Sequence, residues 1–376
     1  MNRSITTLLL ILMTLSSCQQ RMKTFLFIGS YTDGQEKEGI YVYEFDQKSG
    51  ELQEIQRKGE VINPSFLTIS ANGQYLYACT ETRLETHGSV SAFRIDTLTG
   101  KIAFLNKQTA GGRNPVHLAV DQNNKYVVNS SYTDPGVGIF ECTSDGRLKP
   151  YSKLIEFEGS SIIADRQEAA HIHSAYFSFD DQFLFAPDLG ADKIRVLTFD
   201  KDNQLQIAKD LEVDTQPGSG PRHFTFHPNH RFAYGVEELS GTVTAYRYQA
   251  GQLETIASYF SYSKELEAYA SADIHISPDG QFLYASNRLP EENTISIFKI
   301  NTEDGRLALV GHQSTYGDHP RNFVIDPSGD FLLVANQYSG SVVVFKRDQQ
   351  SGLLEKLETE LQLDNPSCLR MRVYKK

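Results

Sequence analysis

The sequence predicts an all-β protein, a seven-bladed β-propeller with four antiparallel strands in each blade. Three observations predict it: a unit recurring every 46 to 57 residues, strict alternation within each copy, and complementary incomplete copies at the two ends.

The repeat comes first. It reads PSFLTISANGQYLYACTE from Pro64, PVHLAVDQNNKYVVNSSY from Pro115 and IHSAYFSFDDQFLFAPDL from Ile172. It returns as PRHFTFHPNHRFAYGVEE from Pro221, SADIHISPDGQFLYASNR from Ser271 and PRNFVIDPSGDFLLVANQ from Pro320, and last as the truncated PSCLRMRV from Pro366. Alternation of period two marks strands, and the Asn-Gly, Asp-Gly and Ser-Gly pairs mark the turns between them. Third strands such as VSAFRID, IRVLTFD and VVVFKRD follow, then a turn and a fourth such as KIAFLNK. Four strands per repeat is the composition of a propeller blade.

The count of blades follows from the ends. The C-terminal copy has one strand, 366–374, and the N-terminal segment has the other three, TFLFIGSY, GIYVYEF and ELQEIQ. Joined, they make a seventh blade, and pairing of the two termini closes the ring and leaves no exposed sheet edge at the closure.

The first residues stand apart from this domain. Arg3 precedes a short apolar run, Leu8 to Leu15, that ends in Leu15-Ser16-Ser17-Cys18. The run is too short to span a bilayer and has the form of a signal peptide. The ending resembles a bacterial lipobox, which implies lipidation of Cys18. The expected organisation is a lipoprotein signal peptide at 1–17, a linker at 18–23 and the propeller at 24–376. The protein is then anchored in the cell envelope by lipid, facing the periplasm or the exterior.

Composition narrows the function. The chain carries a formal charge of −11, which argues against nucleic acid as a partner because phosphate backbones need a basic footprint. An acidic protein can still hold a basic pocket for a small anion. The four cysteines lack CxxC spacing, and no HExxH or Asp-rich calcium loop occurs, so neither a metal nor another cofactor is expected. Cys79 and Cys368 lie in apolar strand patterns and are expected in the core.

Aligning the repeats creates columns. In a propeller the first strand of each blade lines the central channel and the second returns antiparallel, so the start of one and the end of the other share a face. The residue after the opening proline gives Ser65, Val116, His173, Arg222, Ala272, Arg321 and Ser367. The end of the second strand gives Tyr31, Glu81, Tyr132, Leu189, Glu238, Arg288 and Gln337. Inward charges are costly unless paired or functional. A structural ring of salt bridges is one reading of them. Their clustering from His173 through Arg222 and Glu238 to Arg288 favours a site.

At these residues the chain resembles the lactonase family of seven-bladed propellers, which includes 6-phosphogluconolactonases and carboxymuconate-lactonizing enzymes. The resemblance runs from about Phe25 to Val373, through IGSYTDG, NPSFLTIS, HIHSAYFS, DLGADKI, GSGPRHFTFHP, the EEL at 237–239, SPDGQFLYASNR and HPRNF. It implies that the family's catalytic histidine, arginine and acid fall on His173, Arg222 and Glu238, and the arginine of the SNR motif on Arg288. The family's usual Asn-Glu, Asn-Tyr and Asn-Glu-Leu read Thr80-Glu81, Ser131-Tyr132 and Glu237-Glu238-Leu239 here.

Lactone hydrolysis needs an activated water, a stabiliser for the oxyanion and a proton for the ring oxygen. Glu238 or His173 is the expected base, and Arg222 suits the oxyanion. Arg288 and Arg321 are expected on the substrate's phosphate, with His171, His223 and Glu81 as further substrate-binding residues. No GxSxG nucleophile motif is present. The expected reaction is hydrolysis of 6-phospho-D-glucono-1,5-lactone to 6-phosphogluconate, a step of the pentose phosphate pathway. The alternatives are an extracytoplasmic enzyme for an unphosphorylated sugar lactone and a non-catalytic propeller scaffold or glycan-binding protein.

Overall fold

The structure is a computed structural model that describes residues 22–200 and 204–375. Seven antiparallel sheets follow one another around a ring. In blade 1, Pro366–Lys375 is the inner strand, followed outward by Met22–Ser30, Ile40–Phe45 and Leu52–Lys58. Blades 2 to 7 occupy residues 66–113, 115–156, 176–214, 221–260, 271–314 and 320–362. The closure runs from Met22 opposite Lys375 to Ser30 opposite Pro366. Its strand begins at Met22, inside the 18–23 segment read as linker. Residues 1–21, with the signal-peptide and Cys18 readings, lie outside the described residues.

Blade 4 departs from four plain strands. Its outermost strand is split into Leu205–Ile207 and Val213–Asp214, both paired to Lys193–Phe199, with the short 3-10 helix Lys209–Leu211 between them. Its innermost strand is only Tyr176–Phe177, preceded by an isolated bridge from Ile172 to Asp188.

Why the sheets stack is visible in the second strands. Phe232, Tyr234 and Val236 pack against blade 6, while Ala233 between them packs against blade 4. Both faces of the strand are therefore covered, and it is buried along its whole length. Apolar clusters fill each junction between neighbouring blades, the one that joins blade 7 to blade 1 through Leu26, Ile28, Leu333 and Leu369 included. Burial of this kind contributes about 25 cal/mol per Å² of apolar surface. Cys79 and Cys368 are buried free thiols.

One irregularity recurs at the ring's inner edge. The ladders skip a residue between Pro115 and His117, Pro221 and His223, and Pro320 and Asn322. The skipped residues are Val116, Arg222 and Arg321. A β-bulge leaves its extra residue unpaired and re-aims the side chain, here towards the channel mouth.

Candidate active site

Two motifs build the platform on which the site stands. Asp192 of DLGADKI accepts hydrogen bonds from Gly218 N (2.6 Å) and Gly220 N (2.7 Å) of the next blade. Both glycines have positive φ, 83° and 63°, a conformation L-residues rarely adopt. This turn delivers Arg222 to the channel, and Ser174 Oγ donates to the Arg222 carbonyl at 2.6 Å. Glu238 is fixed through its own backbone, its N–H on Gly220 O and its carbonyl receiving Ser271 N–H.

The mouth holds a cavity of about 220 Å³ whose wall includes Tyr31, Arg83, Asn114, Val116, Tyr132, Arg166, His173, Glu238, Arg288 and Arg321. Arg222, 1% exposed, borders a smaller adjoining cavity that shares Val116, His173 and Arg321 with this wall. The Glu238 carboxylate is its electrostatic hub. Oε2 accepts from Arg222 Nε at 2.8 Å and Arg288 Nη2 at 2.6 Å, and Oε1 accepts from Arg166 Nη2 at 2.6 Å. Burial alone pushes this carboxyl up, but Arg288, Arg222 and Arg166 together outweigh it and hold the group well below the usual carboxylate range. Burial, with Arg288 and Arg321 nearby, brings the Arg222 guanidinium down to about 9, so it stays protonated at neutral pH.

His173 sits beside this network as a neutral imidazole. Burial, reinforced by Arg222, His223, Arg321 and Arg288, drives its pKa well below the usual histidine value. Its Nδ1 is buried with no hydrogen-bond partner. Its ring meets Tyr132 edge-on at 5.7 Å and His223 at 5.3 Å.

The other candidates fall into two groups. Arg321 lines the cavity, its guanidinium 5.5 Å from the Tyr31 ring, and makes no ion pair among the described residues. Arg288 also lines it, but its nitrogens are engaged by Glu238, the Ala270 carbonyl and His319 Nε2. His223 lies deeper, with Nδ1 2.7 Å from Asp273. His171 is outside the cavity wall. It stacks on Tyr132 with ring centroids 4.3 Å apart and uses Nδ1 on the Tyr132 carbonyl. Glu81 is not brought to the site. It has φ 60°, and its carboxylate meets Lys107 Nζ at 2.7 Å on the blade's outer strand, with Thr80 and Ser89 also bound to it.

A family model described as lactonase, 7-bladed beta-propeller, matches residues 25–371. The chain belongs to that family. It is 48% identical over 351 residues to a protein of Formosa agariphila named 6-phosphogluconolactonase, covering 93% of this chain and 99% of that one. A crystal structure titled as a putative 6-phosphogluconolactonase from Bacteroides fragilis superposes with TM-score 0.87 at 37% identity, covering 93% of this chain and 98% of that one. The structure titled Pseudomonas aeruginosa periplasmic gluconolactonase superposes equally well, TM-score 0.87 at 32% identity, over 93% and 99% of the two chains.

The cavity wall of this lactonase propeller carries two arginines that lie outside the columns of the repeat, Arg83 and Arg166. Arg83 stands two residues beyond the second-strand column of blade 2, in the left-handed region, with its guanidinium 4.1 Å from the Tyr31 ring. Arg166 comes from the connection between blades 3 and 4. That connection lies within the longest interval between repeat starts, the 57 residues from Pro115 to Ile172, and this surplus length is the signal in the sequence. Gln167 anchors it, donating to Leu189 O at 2.9 Å and accepting from Ile163 N at 3.2 Å. Gly190 lets it approach, because a Cβ there would stand 1.8 Å from the Ala169 carbonyl oxygen. Among the described residues, no cluster of three or more His, Cys, Asp or Glu side chains has the arrangement of a metal site.

Proposed function

We propose that the protein hydrolyses a sugar lactone, 6-phospho-D-glucono-1,5-lactone, with His173 as general base. The observation that carries this is a neutral imidazole placed beside five guanidinium groups and one carboxylate, in a protein whose net charge is −11. Such a pocket concentrates an anionic substrate. Its resemblance along nearly the whole chain to proteins named 6-phosphogluconolactonase supports the choice of lactone.

The chemistry divides among the residues by their availability. Glu238, held anionic by three arginines, is a poor proton acceptor at neutral pH and serves to position Arg222, Arg288 and Arg166. His173 takes a proton from water as its oxygen adds to the lactone carbonyl carbon. Arg222 commits Nε to Glu238 and Nη1 to the Ala272 carbonyl, leaving Nη2 as a donor for the oxyanion. Collapse of the tetrahedral intermediate breaks the bond to the ring oxygen, which receives the proton from His173. The product acid then ionises and releases one proton. Arg83 and Arg321, which have no carboxylate partner among the described residues, are the cations available to the phosphate. Arg288, with its donors engaged, holds Glu238 instead.

A second reading is favoured by the N-terminal segment and by the neighbour titled periplasmic gluconolactonase: lipidation at Cys18 and an unphosphorylated lactone met outside the cytoplasm. One assay separates the readings. Purified protein is titrated in a pH-stat with gluconolactone with and without the 6-phosphate. A higher kcat/KM for the phosphorylated lactone supports the first reading, the reverse supports the second, and hydrolysis of neither leaves a binding scaffold. Incorporation of labelled palmitate, abolished by Cys18→Ser, tests the anchor.

A further inference from the structure

Adjoining the site, and sharing His173 and Arg321 with it, is a cavity of about 10 Å³ bordered also by Arg222, His223, Asn322, Ser65 and Ser367. That volume is what the centre of one water molecule needs. Two facts make the place polar rather than a packing gap. His173 Nδ1, on a side chain more than nine-tenths buried, has no protein partner, and buried polar atoms are nearly always satisfied by protein or water. The imidazole of His223 borders the same cavity, its ring meeting that of His173 edge-to-face with centroids 5.3 Å apart, so both rings adjoin this one small space.

The far side of His223 gives this space a direction. Its Nδ1 is 2.7 Å from Asp273 Oδ1. The other oxygen of Asp273 receives Asn322 Nδ2, Phe323 N at 3.3 Å and His275 Nε2 at 2.9 Å. A carboxylate so surrounded is an acceptor only, so His223 donates from Nδ1 and its Nε2 must accept.

We propose that one internal water occupies this cavity, donates to His223 Nε2 and accepts from His173 Nδ1–H, making Asp273 and His223 positioning residues for His173. The chain of donors then points from His173 to Asp273, and the lone pair on His173 Nε2 is left for the substrate water. Neither Asp273 nor His223 touches the lactone; they act by fixing a tautomer, as outer partners of an imidazole do elsewhere. The inference rests on the reading of His173 as base.

The test is two-bond proton–nitrogen NMR of the full chain with ring-labelled histidine, which reads tautomers without reference to activity. The wild-type protein is expected to show His173 protonated at Nδ1. Asp273→Asn and His223→Phe are expected to shift it towards the Nε2–H form and to lower kcat roughly 10–100-fold with KM little changed. His223→Gln, which keeps an acceptor, should recover part of kcat. A wild-type His173 protonated at Nε2 overturns the proposal even if the variants fail to fold. So does a folded Asp273→Asn protein with tautomer and kcat unchanged. Full activity in His173→Asn would instead remove the base assignment, whatever the tautomer.

Discussion

Arg166, from the connection between blades 3 and 4, donates through Nη2 to Glu238 Oε1 of blade 5 at a distance of 2.6 Å. Its side chain is more than one-third exposed, whereas the Glu238 side chain is almost wholly buried. The contact thus joins a surface segment to the buried centre of the arginine network, and it is the network's one member supplied by a loop outside the repeat.

Removing that contact should be costly to catalysis and cheap to folding. Arg166→Ala is expected to lower kcat/KM roughly 10–100-fold, the usual worth of a charge-assisted hydrogen bond, with the melting temperature little changed. Arg166→Lys should recover only part, because a lysine lacks the fork. Steady-state kinetics beside thermal melts checks both, and an unchanged kcat/KM counts against a functional role for the loop.

His173→Asn should lower kcat by roughly 10²–10⁴-fold, the range for a lost general base. Because burial holds the His173 pKa below the usual value, the base form persists as the pH falls. The acid limb of kcat/KM is therefore expected below about pH 6.5, the ordinary histidine value. An acid limb centred at 7 or above would contradict this assignment.

Stability should follow the same histidines. His117, His173 and His223 are buried, and burial lowers each pKa, His223 to about 3. The unfolded chain binds these protons below about pH 6.5 while the folded protein does not, so stability falls as pH drops from that point. Each histidine should cost roughly 1.4 kcal/mol per pH unit in that window. Chemical unfolding at pH 7.0, 6.0 and 5.5 measures the slope; equal stability across the series would mean that the imidazoles take up protons in the fold as readily as in the unfolded chain.

Arg83→Ala and Arg321→Ala should each raise KM for the phosphorylated lactone, by roughly 10–100-fold, and leave kcat nearly unchanged. The unphosphorylated lactone should be handled as by the parent protein. An equal effect on both substrates would place these arginines on the lactone ring rather than the phosphate.

Gly190→Ala tests the connection's seat. The new Cβ meets the Ala169 carbonyl, so backbone must move, at a cost of about 1–3 kcal/mol for overpacking. The shift should carry Arg166 away from Glu238 and lower kcat/KM, so melting and kinetics should change together. Full activity would show that Arg166 finds Glu238 without this close approach.

The repeat made the fold and most of the site legible. A column in the sequence becomes a ring in space, so His173, Arg222, Glu238, Arg288 and Arg321 could be expected on one face without a structure. What the columns miss lies where the chain leaves the repeat. Arg166 belongs to an insertion with no counterpart in other blades. Arg83 lies in a turn whose left-handed backbone no pattern announces. Glu81 holds a column position, but its own positive φ accompanies a side chain turned towards Lys107. The bulges that turn Arg222 and Arg321 towards the channel are invisible to period-two alternation, which registers strands and not skipped partners. The break at Ile172 similarly hides a first strand reduced to Tyr176–Phe177.

The strand that completes blade 1 is separated from its partner by most of the chain. Met22–Ser30 is made early, yet its inner neighbour Pro366–Lys375 emerges from the ribosome only after more than three hundred further residues. At synthesis rates of about 5–20 residues per second, that edge waits roughly 20 to 70 s. During this interval Phe25, Leu26, Phe27 and Ile28 present apolar side chains beside unpaired amides, the combination that invites strand addition from another nascent chain. Nascent molecules are therefore exposed to a hazard from which the finished ring is immune, and a holding chaperone would find its target in the first strand of the chain.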